Sequence, residues 1–172
     1  ALLALVLVWK ALPETHTSEK RMPIRAARMA AAFGTLVRDP VFMGLTFIAG
    51  LGMASFFAFL ASSSFLYIDH FGLTPTPYSL AFSFNALGFF AASQAAAGLG
   101  ARHGITRVIK GAVAGYAAGA AVLVLVTLAG VDNLPALMAM LFTTFAFLGL
   151  VIPTSMILAL EEHGAIAGIA SA

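Results

Sequence analysis

The sequence contains no cysteine. Disulfides and thiolate metal sites are thereby excluded, while the redox compartment stays open. Charge is scarce as well: 9% of the 172 residues are Asp, Glu, Lys or Arg, against about 25% in an average soluble domain. With 61% hydrophobic residues, a chain of this length cannot hide its apolar surface in a water-soluble globule, and an integral membrane protein is expected. No Asp, Glu, Lys or Arg stands at the centre of an apolar run, where an ionisable group would be the default proton or ion carrier. His16 lies in a polar stretch, and His70, His103 and His163 lie at run ends. There is no carboxylate pair, no His cluster and no nucleophile beside a base, so neither an enzyme, a metal site nor a cofactor is expected. The start lacks both an initiator Met and the ordered regions of a signal peptide. The expectation is an internal piece of a longer membrane protein.

What the chain does have is long apolar runs. Residues 41–68, 78–100, 108–130 and 135–160 each suffice for a helix crossing a bilayer, which takes about 20 residues. Asp39-Pro40, Thr76-Pro77 and Asn133-Leu134-Pro135 open three of them, each with a capping side chain before a proline that the first helical turn tolerates. Residues 1–9, ending at Trp9 and Lys10, read as the exit of one further span, and 165–172 as the start of another. Tyr67 and Tyr78 flank the break at 69–77, where amphipathic rings favour the membrane–water interface. The fold class expected is all-α, a membrane bundle of four full helices and two partial ones.

Residues 10–40 form the long polar stretch. At roughly 100° per residue, Met22, Met29, Phe33, Leu36 and Val37 share a face with Arg21, Arg28 and Arg38 off it. That pattern suits an amphipathic helix on an anionic membrane surface, or a basic loop that only sets topology. The net charge of +2 could suggest nucleic acid, but the positions of the charges argue against it. Six of the nine Lys and Arg lie at 10–38 and three at 102–110, with none at 69–77 or 131–134. This alternation is the positive-inside pattern, which places 10–40, 101–107 and 161–164 in the cytoplasm and 69–77 and 131–134 outside.

Small residues recur at helical spacing: Gly50, Ala54, Ala58 and Ala61; Ala81, Asn85, Gly88 and Ala92; Gly111, Gly115 and Gly119. In lipid such stripes mark close helix contacts. The polar residues within the runs are neutral. Ser55, Phe59 and Ser62 cluster on the first run, Asn85 and Gln94 point to opposite sides of the second, and Thr143, Phe147 and Thr154 share a face of the last, beside Thr144 and Ser155. They read either as a cavity of hydroxyls and rings apt for apolar drug-like molecules, or as side chains bonded to carbonyls one turn back. Pro153 predicts a kink in the last run.

Several passages carry a resemblance. Ser-Ser-Ser-Phe-Leu-Tyr-Ile-Asp-His-Phe-Gly-Leu-Thr-Pro (62–75) and Phe-Asn-Ala-Leu-Gly (84–88) resemble the seventh and eighth helices of the Bcr/CflA drug-resistance transporters, a branch of the major facilitator superfamily. Leu12-Pro13-Glu14-Thr15 stands where many superfamily members carry that word after helix six. The stretch with Gly98, Arg102, Gly104 and Arg107 is similar to a degraded copy of the cytoplasmic loop motif, with Ala101 in the acidic position. Leu148 to Pro153, Ala159 to Glu161 and His163 to Ala172 resemble helices ten and eleven. The resemblance implies the end of helix six (1–9), a central loop (10–40), helices seven (41–68), eight (78–100), nine (108–130) and ten (135–160), and the start of eleven (165–172). It further implies a multi-pass protein of the bacterial inner membrane, partnered by the lipid bilayer and by the N-terminal half of the same transporter. Small apolar drug-like substrates would leave by alternating access in exchange for protons, whose usual carriers belong to that other half. Two alternatives remain: a major facilitator for sugars or organic acids, and a non-transporting membrane scaffold.

Overall fold

A computed structural model describes residues 26–161 of the chain, and among them there is no strand. Helix α1 spans Ala26–Arg38, α2 Pro40–Ser64, α3 Pro75–His103, α4 Ile105–Leu128 and α5 Leu134–Glu161, with a π-helical turn at Phe65–His70 prolonging α2. The protein is all-α, and four of these helices are long and apolar enough to cross a membrane. Residues 1–25 and 162–172, with the partial spans expected at 1–9 and 165–172 and most of the loop expected at 161–164, lie outside the described residues.

Local chemistry sets the helix ends. Asp39 Oδ1 accepts from the amides of Val41 at 2.8 Å and Phe42 at 3.3 Å, satisfying donors that the first turn leaves orphaned. Pro40 fits there because its missing N–H costs nothing. Helix α3 opens at Pro75 rather than at Thr76-Pro77, since Thr74 is already extended and Pro75 takes the first helical position. Asn133 Oδ1 caps α5 by accepting from Ala136 N at 3.0 Å. The loop expected at 101–107 contracts to a single residue: α3 runs to His103, α4 begins at Ile105, and Gly104 turns the chain between them at φ +82°. Only glycine adopts that backbone without strain.

The core sits around α5, which packs most extensively on α3, then on α4, then on α2. Its Phe145, Leu148, Val151 and Thr154 are all buried. Close approach to α3 is set by Gly149, where a Cβ would collide with the Phe89 carbonyl. On α3 the stripe Ala81, Asn85, Gly88 and Ala96 is the buried face. The expected stripe on α2 is not: Ala54, Ala58 and Ala61 are exposed and Gly50 meets open space. The packed face of α2 instead carries Gly52, against Leu148, and the rings of Phe56 and Phe59, against Phe145. Aromatic rings offer more contact area than a row of methyl groups, and they decide which side turns inward.

Helix α1 touches α2. Its apolar residues divide: Leu36 is 3% exposed while Phe33 is 64% exposed. Ala32 and Leu36 meet the bundle, and Met29, Phe33 and Val37 form an outward stripe.

Candidate functional site

The residues marked by sequence do not converge on one cavity. On α2, Ser55 Oγ donates to Leu51 O at 2.9 Å and Ser62 Oγ to Ala58 O at 2.8 Å, both exposed. Thr143 on α5 donates to Ala139 O at 2.9 Å and is likewise exposed. Thr154 is fully buried and donates to Leu150 O at 2.6 Å. These hydroxyls follow the local pattern of serine and threonine in membrane helices, bonding to a carbonyl one turn back. Gln94 is exposed on α3.

The aromatic residues part company. Phe59 stacks on Phe82, centroids 6.0 Å apart, and lies 4.6 Å from Phe145. Phe56 reaches the same Phe145 from a turn away and stacks on Phe89. Phe147, grouped with the cavity by its helical face, instead lays its ring over Gly115 of α4, where a Cβ would stand 2.5 Å from the ring. It is a helix contact. Gly119 faces Thr144 of α5 in the same seam, whereas Gly111 meets open space.

Asn85 is the polar residue the fold treats differently. It is 1% exposed, and its Nδ2 donates to Tyr67 Oη at 2.7 Å and to Ala81 O at 3.2 Å. Its Oδ1 is buried with no partner. Beside it, Ser63 Oγ and Tyr78 Oη share a hydrogen bond at 3.1 Å, and the Tyr67 and Tyr78 rings lie 6.0 Å apart. The sequence reading put both tyrosines at the interface. The structure buries Tyr67 completely and ties each hydroxyl to a neighbouring side chain. The spacing holds the missed signal: Ser63 and Tyr67 are four apart, Tyr78 and Asn85 seven apart, and the short break brings the two faces together.

The π-helical turn belongs to this arrangement. Phe71 N reaches back five residues to Leu66 O at 3.2 Å, the wide spacing that defines such a turn. At its end His70 Nε2 lies 2.9 Å from Asp132 Oδ1, linking the α2–α3 connection to the α4–α5 connection. At the opposite end Arg102, Arg107 and Lys110 are exposed around Gly104, and Gly98 meets open space.

One cavity of about 620 Å³ opens between α2 and α5 near that basic end, walled by residues such as Leu45, Ala49, Met53, Ile152 and Met156. Ser155 lines it with a buried hydroxyl that has no partner. Among the described residues, no three His, Cys, Asp or Glu side chains come together as metal ligands. The site can hold an apolar molecule and offer it hydroxyls and sulfur, but no ring and no charge.

Comparison with known proteins places this arrangement in context. A family model of the Major Facilitator Superfamily matches residues 1–172. Over 170 residues the chain is 29% identical to the "Uncharacterized MFS-type transporter YdgK" of Bacillus subtilis (strain 168), covering 99% of this chain and 42% of that protein. It is 33% identical over 92 residues to the "Bicyclomycin resistance protein homolog" of Haemophilus influenzae (strain ATCC 51907 / DSM 11121 / KW20 / Rd), covering 54% of this chain and 23% of that protein. The chain thus spans less than half the length of these curated relatives. No solved structure matches.

Proposed function

Since this chain belongs to the Major Facilitator Superfamily, a family of multi-pass membrane transporters, we propose that it works as part of a proton-coupled multidrug exporter of the Bcr/CflA type. The observation that carries the reading is an interior built from rings, hydroxyls and methyl groups. Every Asp, Glu, Lys and Arg of α2–α5 stands near a helix end. A hydrocarbon-lined path without charge suits uncharged, apolar cargo. The similarity to a bicyclomycin resistance homologue supports the same cargo class. A sugar or organic-acid carrier would need more polar groups at depth. Here the amides are Asn85, engaged with Tyr67 and Ala81, and the exposed Gln94.

In this proposal α2 to α5 are helices seven to ten of the transporter, and α1 lies in the central cytoplasmic loop with Met29, Phe33 and Val37 in the membrane surface. The basic end faces the cytoplasm of a bacterial inner membrane. Transport proceeds by rocking of this bundle against the N-terminal half around a shared site near the midplane. The four described spans hold no Asp, Glu, Lys, Arg or His at depth, so in this reading the proton is carried by groups of the other half. The test is accumulation of bicyclomycin in cells making the full-length transporter, with and without a protonophore. Lowered accumulation that the protonophore restores is the expected result. Unchanged accumulation removes bicyclomycin export and leaves the facilitator and scaffold alternatives, and export that survives the protonophore removes proton coupling.

A further inference from the structure

We propose that the corner where α3 gives way to α4 is a binding site for an anionic phospholipid, held by its phosphate headgroup. Arg102 stands in the last turn of α3, Arg107 in the first turn of α4, and Lys110 one turn further along α4. Arg107 and Lys110, at i and i+3, share a face of that helix. Gly104 alone separates the two helices, so the three cations belong to one corner of the bundle. All three are exposed.

Nothing in the fold neutralises them. Between Asp69 and Asp132 the sequence holds no Asp or Glu, so α3 and α4 carry cations and no carboxylate. Among the described residues, none of the three forms an ion pair. Arg107 is also unfavourably placed, because the first turn is the positive end of the helix macrodipole and repels a cation. That turn of α4 contains no acidic residue and no side-chain cap. A topology signal requires positive charge on this side of the membrane, but it gives no reason for cations to crowd without counter-charge. An anion from outside the chain supplies one, and guanidinium groups bind phosphate through paired N–H···O bonds.

The surroundings favour a lipid over a soluble phosphate. Both α3 and α4 are long and apolar enough to span a membrane, which sets their shared end at headgroup depth. Gly98 and Gly111 lie one turn further into the membrane than Arg102 and Arg107, and each has open space around it. The ligand therefore meets cations at its head and bare helix surface below, a match for a phosphate carrying acyl chains. The site is independent of what the transporter carries.

Native mass spectrometry of the full-length transporter in detergent, titrated with dioleoylphosphatidylglycerol, measures the affinity. Dioleoylphosphatidylcholine, which has no net charge, is the reference lipid. We expect phosphatidylglycerol to bind more tightly, and Arg107→Gln to weaken it about fivefold, the equivalent of about 1 kcal/mol. The triple variant Arg102→Gln/Arg107→Gln/Lys110→Gln should lose on the order of 100-fold while binding phosphatidylcholine as the parent does. Loss of both lipids together would mean that these cations hold the fold, and overturns the site. Arg21→Gln/Arg25→Gln/Arg28→Gln removes the same charge elsewhere and should leave phosphatidylglycerol binding near that of the parent. An equal loss in the two triple variants would show diffuse attraction and overturn the site, as would equal affinity of the parent for the two lipids. sn-Glycerol 3-phosphate, a headgroup without chains, should not displace the lipid at equal concentration. Displacement by it would assign the corner to a soluble phosphate and overturn the lipid.

Discussion

Asn85 and Tyr67 form a hydrogen bond of 2.7 Å between α3 and the π-helical turn, and only one end of the amide is satisfied by the fold. Nδ2 has two acceptors, Tyr67 Oη and Ala81 O, while Oδ1 is buried without a donor. Reversing the amide would set its oxygen against the Ala81 carbonyl, so the orientation follows from the surroundings. The bond joins residues 18 positions apart and pins the end of α2 to α3.

That bond predicts a coupled pair of substitutions. Asn85→Ala and Tyr67→Phe should each destabilise the purified protein by roughly 1 kcal/mol, since interhelical hydrogen bonds in membranes average less than their vacuum strength suggests. The double variant should lose clearly less than the sum, because the second change removes a partner already lost. Thermal unfolding of the two single variants, the double variant and the parent gives the cycle. Strict additivity would mean the two side chains do not interact.

The four long apolar helices were legible in the sequence because their signal is local: uninterrupted apolar length in all four, with a proline in the first turn of three. Gly104 was less so, since a break one residue long looks like a loop when charges flank it. The site was legible only in part. Periodicity put Ser55, Phe59 and Ser62 on one face, but it could not say that Phe59 turns to Phe82 and Phe145 while both serines remain exposed. It likewise grouped Phe147 with Thr143 and Thr154, where the fold lays Phe147 on Gly115. Which face of a helix meets which neighbour depends on the size of the partner's side chains, and that information lies far away in sequence. Tyr67 shows the same limit. An aromatic residue beside a loop has the pattern of an interfacial anchor, and only the approach of Asn85 makes it an interior one.

The alternation of basic and bare connections predicts orientation. Cysteines introduced at Thr74 and Asn133, both exposed, should react with an impermeant maleimide added to intact cells. One introduced at Thr106, exposed at the basic end beside Gly104, should react only after lysis, as should one at Ser18. Labelling of the second pair from outside would reverse the assignment.

His70 and Asp132 approach within 2.9 Å, yet their side chains are 49% and 61% exposed. Water therefore screens the contact, and exposed pairs of this kind contribute about 0–1 kcal/mol. Asp132→Asn should lower stability by less than about 1 kcal/mol, and the difference should shrink as salt is raised. Unfolding measured at low and high ionic strength checks this; a loss of several kcal/mol, insensitive to salt, would assign the pair to a buried network instead.

The seam between α4 and α5 gives the sharpest test of packing. A Cβ at Gly115 would stand 2.5 Å from the Phe147 ring, closer than side-chain carbons approach, whereas Gly111 on the same stripe has nothing within 4 Å. Helices in lipid gain little from hydrophobic drive between them and depend on close contact. Gly115→Leu should therefore cut the folded yield in detergent sharply, and Gly111→Leu should leave it near that of the parent. Rescue distinguishes a clash from a general effect of leucine. Trimming the opposing ring with Phe147→Ala removes the atoms that a larger residue at 115 would meet, so the double variant Gly115→Leu/Phe147→Ala should recover part of the yield. Phe147→Ala alone should lose stability, because it leaves a void above an empty glycine surface. The readout is the monodisperse fraction by size-exclusion chromatography at matched expression. Yields that are equal for leucine at 111 and 115 would place the whole stripe against lipid. A double variant no better than Gly115→Leu would mean that the obstruction is something other than the Phe147 ring.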